Sequence, residues 1–171
     1  MAGTIAIFCI PTMSQAPKSV VQYHENFSYT HTQRGKVIVI AMLLPMFVSF
    51  WGAFTIPSQH NTLLVVGSVA AVIAGLFSSL TVRVSDRFLH WQFGFGLIRK
   101  RVVLAQIQHY EIVRTTIIDG WGIHYTRRGW LYNVSGFDAI AFTLKDDKRF
   151  LLGSDDVQTL YKALEKYIPK A

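Results

Sequence analysis

The chain has 171 residues, a formal net charge of +7 and 51% hydrophobic residues. Its single cysteine, Cys9, excludes an intramolecular disulfide framework and any cysteine-based zinc site. The apolar excess is concentrated in residues 37–56 and 63–82, two runs of 20 residues without Asp, Glu, Lys, Arg or His.

The first 36 residues carry Lys18, Arg34 and Lys36 against Glu25. The opening stretch resembles a signal peptide's apolar core but lacks a basic leader, so it is expected to lie outside the fold. Met13 is an equally good initiator. Tyr23, Glu25, Phe27 and Tyr29 alternate as one strand face would, which leaves two readings open: a strand laid on a later sheet, or an unstructured lead-in.

At about 1.5 Å rise per residue, each apolar run makes a helix of roughly 30 Å, the thickness of a bilayer's hydrocarbon core. A transmembrane helical hairpin is therefore predicted over residues 36–82. Arg34 and Lys36 precede the first span, Arg83 and Arg87 follow the second, and the connector 57–62 has no Lys or Arg. By the positive-inside rule both termini are expected in the cytoplasm. Gly67, Ala71, Gly75 and Ser79 recur every four residues, a spacing that lets helix backbones approach closely in lipid. This stripe is expected to pack the hairpin; the alternative use is a homo-oligomer contact. Pro45 falls inside the first span, where membrane helices tolerate it.

From residue 83 onward, 14 Lys and Arg stand against 9 Asp and Glu. So close to a bilayer exit, anionic lipid rather than nucleic acid is the expected counter-charge. The pattern here becomes alternating: Val82 and Val84 oppose Arg83 and Ser85, and Leu89, Trp91 and Phe93 oppose His90 and Gln92. Strands are predicted over 97–104, 107–116, 123–126, 130–133, 140–144 and 149–152. Ser154 is expected to cap a closing helix, with Asp155 and Asp156 in its first turn. Val157, Leu160, Tyr161, Leu164 and Ile168 share that helix's apolar face. The expected fold is an α+β membrane protein: residues 1–35 as a cytoplasmic segment, the hairpin, then residues 83–171 as an antiparallel sheet or barrel of about seven strands with a C-terminal helix.

Gly-Trp-Gly-Ile-His-Tyr at 120–125, Gly-Trp-Leu-Tyr-Asn-Val-Ser-Gly at 129–136 and Leu-Leu-Gly-Ser-Asp-Asp at 151–156 give this region a resemblance to bacterial PH-like (pleckstrin-homology-type) domain membrane proteins. The resemblance covers roughly residues 80–168 and the placement of the spans. It implies a multi-pass protein of the bacterial inner (plasma) membrane with a cytoplasmic PH-like domain. The motifs are turn signatures, so they speak to fold and not to a ligand.

Arg99, Lys100 and Arg101 form the densest basic cluster, and Arg127 and Arg128 a second one at a predicted turn. These five are the candidate residues for binding a protein partner or anionic lipid; the competing reading is a solvated edge strand whose charges block aggregation. No dinucleotide or Walker glycine spacing occurs, no histidine pair has metal-ligand spacing, and Ser135 lacks a nucleophile elbow. No cofactor, metal or catalysis is expected, and the reading is a membrane-anchored binding module. The alternative is a membrane enzyme acting on a lipid-linked substrate, with Asp119, Asp138 or His124 moving the proton.

Overall fold

The structure, a computed structural model, describes residues 26–168; Cys9, Met13 and residues 23–25 of the alternating stretch lie outside them. The first strand, β1 (Tyr29–Arg34), precedes the apolar helices α1 (Lys36–Thr55) and α2 (His60–Leu76), which a single 3-10 turn at Pro57–Gln59 connects. The chain then returns as β2 (Ser79–Val84) and pairs antiparallel with β1 along its whole length, from Tyr29 opposite Val84 to Arg34 opposite Ser79. Residues 29–34 are thus part of the sheet. Tyr29 and Gln33 face inward, while Phe27 lies on the outer face against Arg83.

Helix α2 ends before its apolar run does. Helix α2 stops at Leu76, and Ser78 turns the chain through its hydroxyl, which donates to the Gly75 carbonyl at 2.8 Å. Ser79 consequently sits on a strand and not on the small-residue helix stripe. Ser-Leu-Thr-Val carries no charge, so an uncharged buried strand extends the run without changing its appearance. The helices meet through Ser49 and Ala53 of α1 and Gly67 and Ala70 of α2, the buried positions of the pair. A Cβ on Gly67 would lie 3.2 Å from the Phe50 ring. Ala71, by contrast, points outward, so the packing stripe runs through Gly67 and Ala70. Gly75 faces the Phe95 ring instead of α1.

Strands β3 (Phe88–Phe93) and β4 (Ile98–Val103) complete a four-stranded sheet in the order β1-β2-β3-β4. The remaining strands are β5 (Ile107–Arg114), β6 (Gly122–Thr126), β7 (Gly129–Asn133), β8 (Asp138–Leu144) and β9 (Arg149–Gly153). They form a second sheet in the order β5-β8-β9-β7-β6. The β8–β9 hairpin inserts between β5 and β7, which makes β7 and β9 parallel neighbours and this sheet mixed. Strands β3 to β9 are the seven expected beyond residue 83, and β1 and β2 add two more from ahead of it; among the described residues no pairing joins β4 to β6, so the barrel stays open.

Alternation fills the space between the sheets. Leu80, Val82, Val84, Leu89 and Phe93 from one sheet meet Tyr132, Ile140, Phe142 and Leu152 from the other. Phe150 bridges the layers, stacked on Phe142 at 4.7 Å and on Trp91 at 5.2 Å between ring centroids. Helix α3 (Val157–Glu165) covers one side by burying Leu160 and Leu164. Its entry differs from expectation: the helix starts after Asp156, and the Ser154 hydroxyl accepts from the Asp156 amide at 3.1 Å. Asp155 reaches across to His31 on β1 at 2.6 Å, which ties the first strand to the last helix.

Glycine is required where the domain meets the hairpin. The Gly35 amide donates to the Ser78 carbonyl at 2.8 Å, and any Cβ would strike the Phe77 carbonyl and sit 3.2 Å from Val134. Replacing Gly35 by Val is expected to cost roughly 1–3 kcal/mol through overpacking. Phe142→Ala, which empties the centre of the core, is expected to cost about 3–5 kcal/mol. The denaturation midpoint of the purified full chain measures both; an unchanged midpoint for Gly35→Val would mean a looser strand–helix junction than the structure has.

Candidate functional site

Register, more than sequence proximity, assembles the basic residues. Arg83, His90 and Arg101 are cross-strand neighbours, and Thr81, Gln92 and Arg99 form the adjacent row. Both rows face outward and, with Phe27, line a groove of about 410 Å³ that no carboxylate borders among the described residues. Arg83 lies over the Phe27 ring at 5.5 Å and Arg101 over Phe88 at 4.7 Å, so aromatic faces hold these guanidiniums in place. Lys100 is the exception among its neighbours. It pairs with Trp91 on the opposite face of the sheet and looks into the space between the sheets.

That space is the second feature. Where β4 and β6 fail to pair, a cleft of about 600 Å³ opens between the sheets. Its walls are Trp91, Ile98, Val102, Ile123, Trp130, Tyr132 and Phe150, and Lys100, Arg101, Lys148 and Arg149 stand around it. The volume falls in the usual range for ligand sites, and so does the mixture of apolar wall and a few polar groups. Lys148 shares its charge with Asp146 at 2.8 Å, an exposed pair that raises the lysine's pKa and lowers the carboxyl's. Burial pushes the Tyr132 phenol up, which keeps it neutral within the wall. The buried Trp91 indole N–H has no hydrogen-bond partner among the described residues.

Arg127 and Arg128 do not join either feature. They occupy the β6–β7 turn and line a separate concavity with Arg149 and Glu111. At about 3.3 Å per strand residue, the turn lies roughly 15 Å along β6 from Gly122, and Gly122 is the end of that strand facing Phe77 beside the helices. The five candidate basic residues are therefore divided: Arg99 and Arg101 in the groove, Lys100 with Arg101 at the cleft, and Arg127 with Arg128 at the far turn.

The three residues of the enzyme alternative have local partners. The Asp119 carboxylate accepts from the Thr116 amide at 2.8 Å and its hydroxyl at 2.9 Å. This capping box encloses the 3-10 turn Ile117–Asp119. His124 Nε2 contacts the Asp119 backbone carbonyl, not its carboxylate. Asp138 is exposed at the start of β8, opposite Arg114. Among the described residues, no group of three or more His, Cys, Asp or Glu side chains could hold a metal ion.

Comparison with family models, curated proteins and solved structures finds no match to this chain. The site is therefore argued from its own geometry. Sequence reading missed Arg83 and His90 because only the strand register places them beside Arg101. Trp130, which the sequence shows only within a turn signature, is left half exposed at the cleft, where Gly129 starts β7.

The hydrogen bonds from Thr116, the backbone amide foremost, hold the Asp119 carboxyl below the ordinary carboxylate range. A folded-state pKa below the unfolded value means that the cap stabilises the loop above the ordinary carboxylate pKa. That contribution is lost as pH falls through the depressed value. Hydrogen exchange at the Thr116 amide, corrected for intrinsic rate, is expected to accelerate on that acid side. Asp119→Asn should accelerate it at neutral pH; equal protection in the variant would show that the carboxylate holds nothing.

Proposed function

We propose that this chain is an integral membrane protein whose α1–α2 hairpin anchors a binding module, and that the module holds an acidic, extended segment of a protein partner. The observation that carries the reading is the cleft: β4 and β6 are the outer strands of their sheets, and the aromatic gap they border is ringed by cations. An outer strand presents unpaired backbone groups along one side, the template for adding a further strand. Apolar side chains of such a segment would enter the aromatic wall, and its carboxylates would meet Lys100, Arg101 and Arg149.

Exposure supports the anchor. Residues Lys36–Thr55 and Pro57–Leu76 are long and apolar enough to span, yet only 11% of each is buried inside the molecule. Core helices of a soluble protein would be mostly covered. Here Leu44, Phe47, Trp51, Phe54, Val65 and Val69 point outward, a surface that water disfavours and acyl chains accept. Arg34 and Lys36 stand at the start of α1, and Arg83 and Arg87 are the first charges of this sign to follow α2 in sequence, which supports a cytoplasmic domain and an external connector. Two sheets with a C-terminal helix over one side agree in outline with the PH-like reading, and a bacterial plasma membrane is the location it implies. Asp119 is committed to its cap, so no specific observation favours the lipid-linked enzyme. A second reading does have one: the groove of Arg83, Arg99 and Arg101, bordered by no carboxylate among the described residues, suits an anionic lipid headgroup.

Sedimentation tests the anchor. After a carbonate wash the full chain is expected in the membrane pellet; recovery as a monodisperse species in detergent-free supernatant overturns it. For the module, a photo-crosslinking amino acid at Val102 is expected to capture a protein in native membranes. Lys100→Glu with Arg149→Glu should reduce that capture about tenfold or more, on the basis of two opposed charge pairs at an interface. Capture of lipid alone at Val102, together with lipid capture at Gln92 in the groove, would replace the protein reading by the lipid one.

A further inference from the structure

Four large apolar side chains outside the helices are almost wholly exposed: Phe95 at 84%, Leu97 at 77%, Ile117 at 73% and Ile118 at 97%. They belong to two separate loops, the β3–β4 turn and the 3-10 turn between β5 and β6. Both loops lie at the end of the β domain from which the hairpin leaves. In the first, the Gly94 amide donates to the Ser79 carbonyl at 2.8 Å, and a Cβ on Gly94 would come within 2.7 Å of the Leu76 carbonyl oxygen. The positive φ of Gly94, +46°, is what lets the turn lie so close to the last turn of α2. Phe95 then faces Gly75, with 3.4 Å between its ring and a Cβ built there. Phe95 is therefore level with a residue inside the second apolar span.

The second loop reaches the same end by a different route. The Thr115 amide donates to the Phe137 carbonyl at 2.6 Å, and the Trp121 indole N–H donates to the Gly136 carbonyl at 3.1 Å. The Asn133–Phe137 segment so engaged is joined to the helix root: the Ser135 hydroxyl donates to the Arg34 carbonyl at 3.0 Å, and Val134 abuts Gly35. Basic side chains flank both loops, Arg34 and Lys36 at the start of α1, Arg99 beside the first loop and Arg114 beside the second. Carboxylates near these loops include Asp119, held by Thr116, and Asp138, opposite Arg114; Asp155 and Asp156 follow Ser154, whose amide donates to the Asp138 carbonyl at 3.1 Å, and Asp155 is engaged by His31.

We infer that these two loops are a second membrane contact: Phe95, Leu97, Ile117 and Ile118 enter the interfacial layer of the bilayer that the hairpin spans, with the neighbouring cations at its headgroups. The inference rests on the anchored reading above and adds to it. The β domain is seated on the lipid surface at two loops besides its helices, which fixes its rotation about the hairpin and the direction in which the cleft opens. Large aliphatic and aromatic side chains flanked by Arg and Lys are the composition of surfaces that lie in the interface.

The test uses the full chain in liposomes containing anionic lipid, with Cys9→Ser and one introduced cysteine carrying an environment-sensitive fluorophore. Labels at Phe95→Cys and Ile118→Cys, with Leu97→Cys and Ile117→Cys as independent second positions, are expected to be quenched by shallow lipid-borne quenchers. They should also be several-fold less sensitive to aqueous iodide than a label at Arg128→Cys. A label at Val66→Cys in α2 reads the anchor in the same preparation. If Val66 is shielded while the loop labels are as iodide-sensitive as Arg128, the inference is overturned and the anchor stands. Iodide access at Val66 overturns both.

Discussion

The pairing of β1 with β2 is the constraint on which the rest of the molecule depends. The two helices are inserted between strands that are immediate neighbours, and the ladder runs to its last rung at Arg34 and Ser79. Adjacent strands lie about 5 Å apart, so the two helix roots must emerge side by side. Close helix packing then demands small residues, and Ser49, Ala53, Gly67 and Ala70 meet that demand. One residue, Gly35, separates β1 from α1, and two, Phe77 and Ser78, separate α2 from β2. Connections so short, with hydrogen bonds from Gly35 to Ser78 and from Gly94 to Ser79, make the sheet and the hairpin one continuous body and not a domain on a tether.

The sequence showed the helices through continuous apolarity and most strands through alternation. Leu89, Trp91 and Phe93 are buried as their spacing requires. It failed where two structures share one pattern. The uncharged start of β2 extends the helical run, and Ser154 with two following aspartates reads as an ordinary helix start although Asp155 serves a strand far away in the chain. Strand register was the larger gap. Neither the distance in sequence from Arg83 to Arg101 nor that from His31 to Asp155 announces a contact. The parallel pairing of β7 with β9 likewise follows from where the β8–β9 hairpin is inserted, which local periodicity does not encode. The basic candidates were consequently found as residues but not as a site.

The two sides of the β domain are treated unequally. Helix α3 fills one opening with Leu160, Leu164 and Ile168, and Tyr110 marks its end by donating its hydroxyl to the Ile168 carbonyl at 3.3 Å. Among the described residues, the opposite side, bordered by β4 and β6, has no such element. Its aromatic lining is nonetheless built into the core stack, since Trp91 and Phe150 belong both to the cleft wall and to the contact between the sheets. Occupancy of the cleft is thereby coupled mechanically to the packing of the two layers, through rings that both share.

The rung that joins Arg34 to Ser79 also determines how the β domain can be separated from its helices. Cutting after α2 removes β1, leaves the edge of β2 without its strand partner, takes Tyr29 and Gln33 out of the sheet, and deprives Asp155 of His31. Joining Arg34 directly to Ser79 with a tight turn keeps every strand partner and discards only the helices. The domain is discontinuous in sequence but contiguous in space, and a version without the helices has to be made by internal deletion and not by trimming an end.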